Sequence, residues 1–454
     1  MSDTAELCTW TLDTERDLWR LGIVVAEEDI PTDRRPGHGQ SLFADLNGIA
    51  GRTDVARWIM TRYESPNGGG FAIDLDVPHG FRGGLHFMAV PTGLQTADGP
   101  TWLAALEGSF VPSRHPGLSA VRNMRGIATL AVAAPDAPPP RWAPPEAPPR
   151  VGGDQLWSSF ESPGVGSEDV DERIVTLDSS PRRVWIHRPN RAIASAPVLV
   201  VFDGRGFVDG GLLAAIDEFD SPPSAVIAID HERAESEGPD AGPCVESPRP
   251  PDPSAGSLRA EDLVMNPDFC DDVLDLVAAI APDRGVRTLI AGASYGGLAA
   301  AYFALRHPQH FRGICLSPSF WQTDAAGRRI WDHVPGTGSA DVDSTDTGSA
   351  DTTSTGAGSA ETGSADAAAR PDLVIDYGVL EPAIADSVAE AVPEFADRGL
   401  AVEARSFVGG HEYLWWRDLL LGRLGEALGE GASEPSGDRA PAPPAGRDPG
   451  PQSE

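Results

Sequence analysis

The chain has 454 residues, enough for two or three domains, and its 41% hydrophobic content is ordinary for a protein with a packed core. Its 68 acidic residues outnumber 35 basic ones, all arginine, which gives a formal net charge of −33. Such a charge repels nucleic acid and anionic membranes, so neither is expected as a partner. High salt screens self-repulsion, which favours a halophile's cytoplasm over a merely acidic protein from a GC-rich genome.

The four cysteines, Cys8, Cys244, Cys270 and Cys315, are scattered without a CxxC pair, so we expect reduced and mostly structural thiols. The first twenty residues lack the basic and then apolar pattern of a secretion signal. No run of about 18 apolar residues predicts a membrane helix. These features predict a cytoplasmic protein, and no motif indicates a metal or other cofactor.

Residues 1–134 have the pattern of a β-rich module, because the runs 41–46, 71–77 and 85–90 alternate apolar and polar residues between turn-forming segments. Residues 135–150 contain so many prolines that they predict an extended linker. The catalytic domain is expected over residues 151–428.

From about residue 170 the pattern changes to alternating strands and helices, which predicts a largely parallel sheet. A leading hairpin is expected at 173–177 and 183–187, and the segment 261–281 has helical spacing. Further strands are predicted at 198–203, 225–230, 286–291, 312–317, 372–377 and 402–408, and further helices at 295–307 and 412–428. The fold class is therefore α/β: an α/β-hydrolase sheet with flanking helices, preceded by a smaller β-sandwich-like domain.

Three segments are too polar or too rich in Pro, Gly and Ser to bury apolar surface. They are residues 234–257, the GSAD and GSAE repeats at 335–369, and the acidic tail 429–454. We expect all three to be disordered.

The segment Gly292-Ala293-Ser294-Tyr295-Gly296 fits the G-x-S-x-G motif between a predicted strand and an Ala-rich helix. A nucleophile on that tight turn needs small residues two positions away on both sides. Ser294 is therefore the predicted nucleophile.

The serine needs a base and an orienting acid. Of the ten histidines, His411 follows the last predicted strand, where this fold places its base, whereas His231 precedes the nucleophile. The segment DLVIDYGVLEP (372–382) offers Glu381 and Asp376 as the acid, and Glu381 is preferred because a loop carboxylate can reach the imidazole.

Two backbone N–H groups are needed to stabilise the oxyanion. Tyr295, directly after the nucleophile, is one expected donor. The turn after the strand 198–203 should supply the other, at Gly204 or Arg205, and an ordinary glycine turn is the alternative interpretation.

The chain resembles the enterochelin (ferric enterobactin) esterase family. In the catalytic domain the resemblance rests on FDGRGF (202–207), RAEDLVMNPDF (259–269), AGASYGGLAA (291–300), LSPSFW (316–321), DYGVLEP (376–382) and GGHEYLWWRDLL (409–420). In the first domain it rests on the segments 46–62 and 128–142. It implies a serine esterase that cleaves a ferric catecholate siderophore, an enterobactin-like trilactone, and releases iron in the cytoplasm.

The resemblance maps the nucleophile and the base onto Ser294 and His411 and supports Glu381. It also implies that six side chains lie at or near the substrate, where guanidinium and indole groups suit an anion with flat aromatic rings. They are Arg205, Arg259, Asn266, Trp321, Trp416 and Arg417. The alternative is structural: Arg259 pairs with Asp262, and Trp416 belongs to the core.

Two departures separate the chain from the family pattern: GSFVPSRHPG (108–117) replaces an Asp-Pro-rich stretch, and the GSAD insert falls where a pocket-covering helix often lies. The substrate therefore need not be enterobactin. A general carboxylesterase or thioesterase, an acyltransferase and a non-catalytic binding protein are the competing functions.

Overall fold

The computed structural model describes residues 7–65, 68–115, 118, 120–122, 128–138, 170–233, 258–282, 286–334 and 372–429. The segments 234–257 and 335–369, most of the proline-rich linker and the tail beyond residue 429 lie outside the described residues, and so do the expectations for them. Among the described residues, none of the helices combines the length and the apolar character needed to span a bilayer.

The N-terminal region forms two antiparallel four-stranded sheets, and the three predicted strands lie within β3, β5 and β6. The first sheet has the order β1 (Cys8–Asp13), β2 (Leu18–Ala26), β5 (Gly68–Val77), β4 (Thr61–Ser65). The second has the order β3 (Gln40–Leu46), β6 (Arg82–Pro91), β8 (Ala128–Ala133), β7 (Ala120–Arg122). The helix α1 (Gly99–Glu107) and short 3-10 turns at Glu27–Asp29, Thr32–Arg34 and Val55–Trp58 connect them.

These two sheets share one apolar core, which makes the region a β-sandwich. Alternate residues of β2, such as Leu21 and Ile23, point inward and are fully buried. They join Phe87 of β6 and Leu130 of β8 from the facing sheet in a single cluster. The strand-rich module expected over the first 134 residues is therefore present.

The C-terminal region is built on one eight-stranded sheet with the order β16-β15-β14-β13-β11-β12-β10-β9. The hairpin strands β9 and β10 are antiparallel and the other six strands are parallel. The strands are β9 (Val170–Leu177), β10 (Ser180–His187), β11 (Val198–Phe202), β12 (Ala225–Arg233), β13 (Thr288–Ala293), β14 (Phe311–Leu316), β15 (Leu373–Gly378) and β16 (Val402–Phe407). The helices are α2 (Gly204–Asp209), α3 (Leu212–Asp217), α4 (Leu258–Leu263), α5 (Pro267–Ile280), α6 (Tyr295–Arg306), α7 (Pro382–Asp397) and α8 (Tyr413–Leu428), with a 3-10 turn at Ile330–His333.

Helices cover both faces of this sheet, as the near-continuous apolar strands require. On β11, Val200 and Phe202 join a core with α4, α5, α6 and α7, whereas Leu199 and Val201 join a second core with α2, α3 and α8. The α/β-hydrolase fold with a preceding strand-rich region, predicted from the sequence, is confirmed.

The segment 261–281, predicted as one helix, is two helices. The break lies at Met265, whose φ of 52° is left-handed, and at Pro267, which has no N–H to continue the ladder. Asn266 then caps the new helix α5. Helical spacing of apolar residues did not reveal this break.

Because β11, β13, β14, β15 and β16 are parallel, their carboxyl ends meet at one edge of the sheet. The segments leaving that edge begin with Asp203 after β11, Ser294 after β13 and Ser317 after β14. Glu381 and His411 lie in the loops after β15 and β16. The fold therefore gathers the predicted catalytic residues without long-range loops.

The sandwich docks against the last helix of the hydrolase region. Arg82 of β6 donates to Asp418 Oδ2 at 2.7 Å, and its guanidinium lies 4.6 Å from the Trp415 ring centroid. Trp415 Nε1 donates to the Arg82 carbonyl at 2.7 Å. These groups are buried, so the two regions share a well-packed interface.

Three ionisable side chains are buried beside this interface. Asp45 Oδ2 lies 3.3 Å from His86 Nε2 across β3 and β6, and Glu412 lies beside Gly84 of β6. Burial, and then repulsion from Glu412, raise the pKa of Asp45 to about 7. Burial also raises the pKa of Glu412 and lowers the pKa of His86 to about 4. The folded protein therefore disfavours charge here.

We expect Asp45→Asn to stabilise the protein increasingly as the pH rises from 4 to 7. The pKa of Asp45 is 3.8 in the unfolded chain and about 7 in the folded one, so the wild type loses about 1.4 kcal/mol per pH unit across that window. His86 acts in the opposite sense, since folding keeps it neutral and its pKa is lowered to about 4.

Urea unfolding at pH 4.5 and pH 8 measures the difference. The exposed Asp33→Asn change is the control and should give no pH-dependent gain. A gain from Asp45→Asn that is equal at both pH values would contradict the assignment.

Candidate active site

Ser294 lies on a tight turn between β13 and α6. Its φ of 59° and ψ of −117° are strained for a residue with a side chain. The turn depends on glycine, because a Cβ on Gly292 would lie 2.5 Å from the Gly296 carbonyl carbon. The hydroxyl is thus carried at the N-terminus of α6, where developing negative charge is favoured.

His411 and Glu381, in the loops after β16 and β15, form a hydrogen-bonded pair. His411 Nδ1 lies 2.5 Å from Glu381 Oε1. The carboxylate is 4% exposed and the imidazole 43% exposed. Since Nδ1 is occupied by the acid, proton exchange with a nucleophile falls to Nε2.

Asp376, the alternative acid, has a different partner. Both of its carboxylate oxygens accept from Arg423, at 2.5 and 2.7 Å, and the pair is buried. Of the two carboxylates that the sequence left open, Glu381 is therefore the one that contacts the imidazole.

Ser317 supports the acid, and the sequence analysis did not single it out. Its hydroxyl donates to Glu381 Oε2 at 2.7 Å and accepts from Trp416 Nε1 at 2.9 Å. The same Glu381 oxygen accepts from the Gly378 N–H at 2.8 Å. A usable signal existed, because Ser317 ends a predicted strand at the edge that carries the nucleophile.

Trp416 is buried and belongs to the core, which is the structural alternative that the sequence left open. Its ring meets the His411 ring edge to face, with centroids 4.6 Å apart and an interplanar angle of 86°. Trp416 therefore packs against the predicted base from the protein interior, which agrees with its structural alternative.

Ser319 is a second hydroxyl that the sequence analysis missed. Its Oγ lies 3.3 Å from Ser294 Oγ, and its N–H donates to the Ser294 carbonyl at 3.1 Å. In the described part of the chain, the Ser294 hydroxyl pairs with Ser319 and not with His411. Catalytic hydrogen bonds in ligand-free structures often tighten only when substrate binds.

The predicted oxyanion donors lie at the starts of two helices on this edge. Gly204 begins α2 after Asp203, which has a left-handed φ of 55°, and Tyr295 begins α6. A Cβ on Gly204 would lie 2.7 Å from the Ile229 nitrogen, so the turn excludes a side chain there. Tyr295 together with Gly204 or Arg205 stays the predicted donor set.

Arg259 links the turn at Asp203, before the predicted oxyanion donor Gly204, to the turn that carries Ser294. It donates to both Asp203 oxygens, at 2.5 and 2.8 Å, and to the Ala293 carbonyl at 3.3 Å. Burial opposes its charge, but the bonds to Asp203 prevail and raise the pKa of Arg259. The structural alternative, a pairing of Arg259 with Asp262, is wrong in its partner, since Asp262 binds Arg182 at 2.7 and 2.8 Å.

Two of the predicted substrate residues are exposed near the strand edge. Arg205 is in the first turn of α2, and its side chain is 58% exposed. Its Nε lies 3.7 Å from Asp209 Oδ2. Trp321 is 39% exposed and follows Ser319 by two residues.

Asn266 and Arg417 have structural partners instead. The Asn266 side chain caps α5 by accepting from the N–H groups of Asp268 and Phe269, and donates to Asp178. Arg417 is 2% exposed and donates to the Gly210 carbonyl at 2.5 Å, and burial lowers the pKa of Arg417 to about 10. Both side chains therefore have partners within the protein, and their contact with a substrate stays a prediction.

Among the described residues, one group of three potential metal ligands comes together: Cys270, Asp271 and His307. It lies at the far end of α6 from Ser294, and both Asp271 oxygens already accept from Arg306. Burial also raises the pKa of the Cys270 thiol, which disfavours the thiolate ligand. The Asp271 carboxylate is therefore used in an ion pair and the Cys270 thiol is held protonated, so the group does not have the chemistry of a metal site.

A serine on a strained strand–helix turn, a histidine–carboxylate pair and a parallel sheet that carries all three at one edge define an α/β hydrolase. Residues 179–427, more than half of the chain, match the family described as putative esterase. The chain belongs to this family and is an ester hydrolase.

Curated relatives confirm the predicted resemblance. The chain is 26% identical to iron(III) enterobactin esterase of Escherichia coli O6:H1 (strain CFT073) over 399 residues, covering 85% of this chain and 82% of that protein. It is 27% identical to that of Escherichia coli K12 over 319 residues, covering 67% and 64%.

Solved structures show the same fold over nearly the whole chain. Enterobactin esterase from Shigella flexneri, solved in the presence of enterobactin, has a TM-score of 0.62 at 17% identity and covers 94% of this chain and 97% of its own. Ferric enterobactin esterase from Salmonella typhimurium has a TM-score of 0.60 at 18% identity, with 94% and 98% covered.

We expect Glu381→Gln to lower kcat by about a hundredfold or more, because the amide cannot stabilise an imidazolium as the carboxylate does. Asp376→Asn should leave kcat within about threefold and instead destabilise the fold, since it removes the buried carboxylate that accepts two bonds from Arg423 and leaves that guanidinium only Glu403 and Glu426 as charged partners. Steady-state hydrolysis of p-nitrophenyl acetate and thermal unfolding separate the two effects. If Asp376→Asn costs more activity than Glu381→Gln, the acid is misassigned.

Proposed function

We propose that the chain is a serine esterase that hydrolyses the ester bonds of a ferric catecholate siderophore of the trilactone type. The observation that carries the mechanism is the contact between His411 and the buried Glu381 at 2.5 Å, beside a serine on a nucleophile turn. The substrate class rests on relatives that are named as iron(III) enterobactin esterases. The proposed role is release of iron within the cell.

In the proposed reaction, Ser294 Oγ attacks an ester carbonyl carbon while His411 Nε2 accepts the hydroxyl proton. The new C–O bond converts the carbonyl into an oxyanion, which the N–H groups of Tyr295 and of Gly204 or Arg205 stabilise. Collapse breaks the ester bond, and the imidazolium protonates the leaving alkoxide. Water then attacks the acyl-enzyme carbonyl carbon while His411 Nε2 accepts a proton from it. Collapse of this second intermediate breaks the bond to Ser294 Oγ, which takes the proton back from the imidazolium and releases the acid.

Glu381 holds the imidazole in the tautomer that this chemistry needs, and stabilises the positive charge on the ring. Ser317, Trp416 and Gly378 in turn hold Glu381 and His411 in place. The Ser294 hydroxyl has to turn from Ser319 toward His411, a rotation about one side-chain bond.

A general carboxylesterase acting on small neutral esters is the second candidate, and one observation favours it. Of the three arginines expected to bind an anion, Arg417 is buried against Gly210, and Arg259 is paired with Asp203. Only Arg205 presents a largely exposed guanidinium. Charge recognition of a ferric siderophore would depend mainly on it, together with the indole of Trp321.

We expect Ser294→Ala to lower kcat by several orders of magnitude, and His411→Ala to be nearly as damaging. The double variant should be little worse than either, because the two side chains act as one unit. Covalent labelling by a fluorophosphonate should be lost in Ser294→Ala and kept in Ser41→Ala, which removes a partly buried hydroxyl on β3. Substantial turnover by purified Ser294→Ala would refute the mechanism.

The substrate is tested by comparing kcat/KM for a ferric trilactone and for p-nitrophenyl acetate. Arg205→Ala should raise KM for the ferric trilactone about ten- to a hundredfold, because a charge-assisted hydrogen bond contributes about 1.5–3 kcal/mol. It should leave p-nitrophenyl acetate hydrolysis nearly unchanged.

Arg173→Ala is the matched control, since Arg173 is also exposed and paired with an aspartate, but lies on the distant edge strand β9. Equal losses on both substrates, or a wild type that prefers p-nitrophenyl acetate, would favour the general carboxylesterase.

A further inference from the structure

A turn of the N-terminal sandwich lies directly against the loop that carries the base. Asn47, the first residue after β3, donates through Nδ2 to the His411 carbonyl at 3.2 Å. A Cβ on Gly410 would lie 2.5 Å from both Asn47 Oδ1 and Gly48 Cα. Two backbone segments that are 364 positions apart are therefore in van der Waals contact.

The same turn also contacts the loop that carries the acid. A Cβ on Gly48 would lie 3.3 Å from Leu380 Cβ, and Leu380, next to Glu381, packs against the sandwich core. Leu380 N donates to the Gly409 carbonyl at 3.2 Å, which joins the acid loop to the base loop. The sandwich thus touches both loops at the residues adjoining the His411–Glu381 pair.

The base loop needs such external support. Gly409 and Gly410 precede His411, and consecutive glycines have the widest choice of backbone conformations. The imidazole itself is 43% exposed, so burial does little to restrict it. The Asn47 amide fixes the backbone at His411, while Glu381 fixes the ring.

We propose that Asn47 is a positioning residue for the general base, so that the N-terminal sandwich is part of the catalytic apparatus. The inference rests on the proposed serine mechanism and extends it across the domain interface. Asn47 acts through His411 and does not contact the substrate. Its loss should lower kcat while leaving KM for a small ester unchanged.

The experiment uses the full chain and p-nitrophenyl acetate. Asn47→Ala removes the donor, and Asn47→Leu removes it while filling a similar volume, which separates the hydrogen bond from packing. Both should lower kcat about three- to thirtyfold and slow fluorophosphonate labelling of Ser294 by a similar factor. Gln40→Ala, which removes an amide side chain at the opposite end of β3, should leave both rates unchanged.

A double-variant test shows whether the effect passes through His411. In a His411→Ala background, Asn47→Ala should cause no further loss of residual turnover, whereas a general loosening of the protein would add its full effect. An unchanged kcat in Asn47→Leu, a loss confined to KM, or additive losses with His411→Ala would each overturn the inference. If His411→Ala itself remains active, the serine mechanism fails, and that result is distinct from the others.

Discussion

The active site depends on a buried carboxylate whose hydrogen bonds are divided among several partners. One oxygen of Glu381 faces His411, and the other accepts from Ser317 and Gly378. A buried charge without such partners costs several kcal/mol, so these contacts constrain one another. Gly378 can have no side chain, because a Cβ there would lie 2.3 Å from the Gly409 carbonyl oxygen. The loops that follow β14 and β16, and the end of β15, therefore each supply a hydrogen-bond partner to the Glu381 carboxylate, and this shared partner holds them together.

The sequence predicts a functional residue when the residues next to it along the chain indicate its role. Ser294 stands between glycines at a strand end, and His411 follows the last strand, so local pattern and chain order are enough to predict a role for both. Ser317 and Asn47 are different, because each matters through a partner distant in sequence. The choice between Glu381 and Asp376 likewise needed the location of Arg423, 47 positions from Asp376. Local pattern predicts elements, but not which polar side chains meet across them.

Many arginines of this acidic chain are used internally. Arg182 binds Asp262 with 1% exposure of both side chains, and Arg423 binds both Asp376 oxygens. The planar guanidinium can satisfy both oxygens of a carboxylate at once, which an ammonium cannot. The use of arginine for every basic residue therefore allows buried pairs with carboxylates as well as positive charge at the surface.

The contact between Asn47 and His411 has a consequence for the order of folding. The sandwich is complete by residue 138, whereas the surface that it covers on the hydrolase region includes Val408 and Trp415. During synthesis the sandwich is made first, and its apolar docking face stays uncovered until those late residues leave the ribosome. If His411 is the base and Asn47 positions it, hydrolytic activity requires this docking step. A nascent chain stalled before residue 411 would have a folded sandwich with an exposed apolar face that favours aggregation, and it would lack the predicted base.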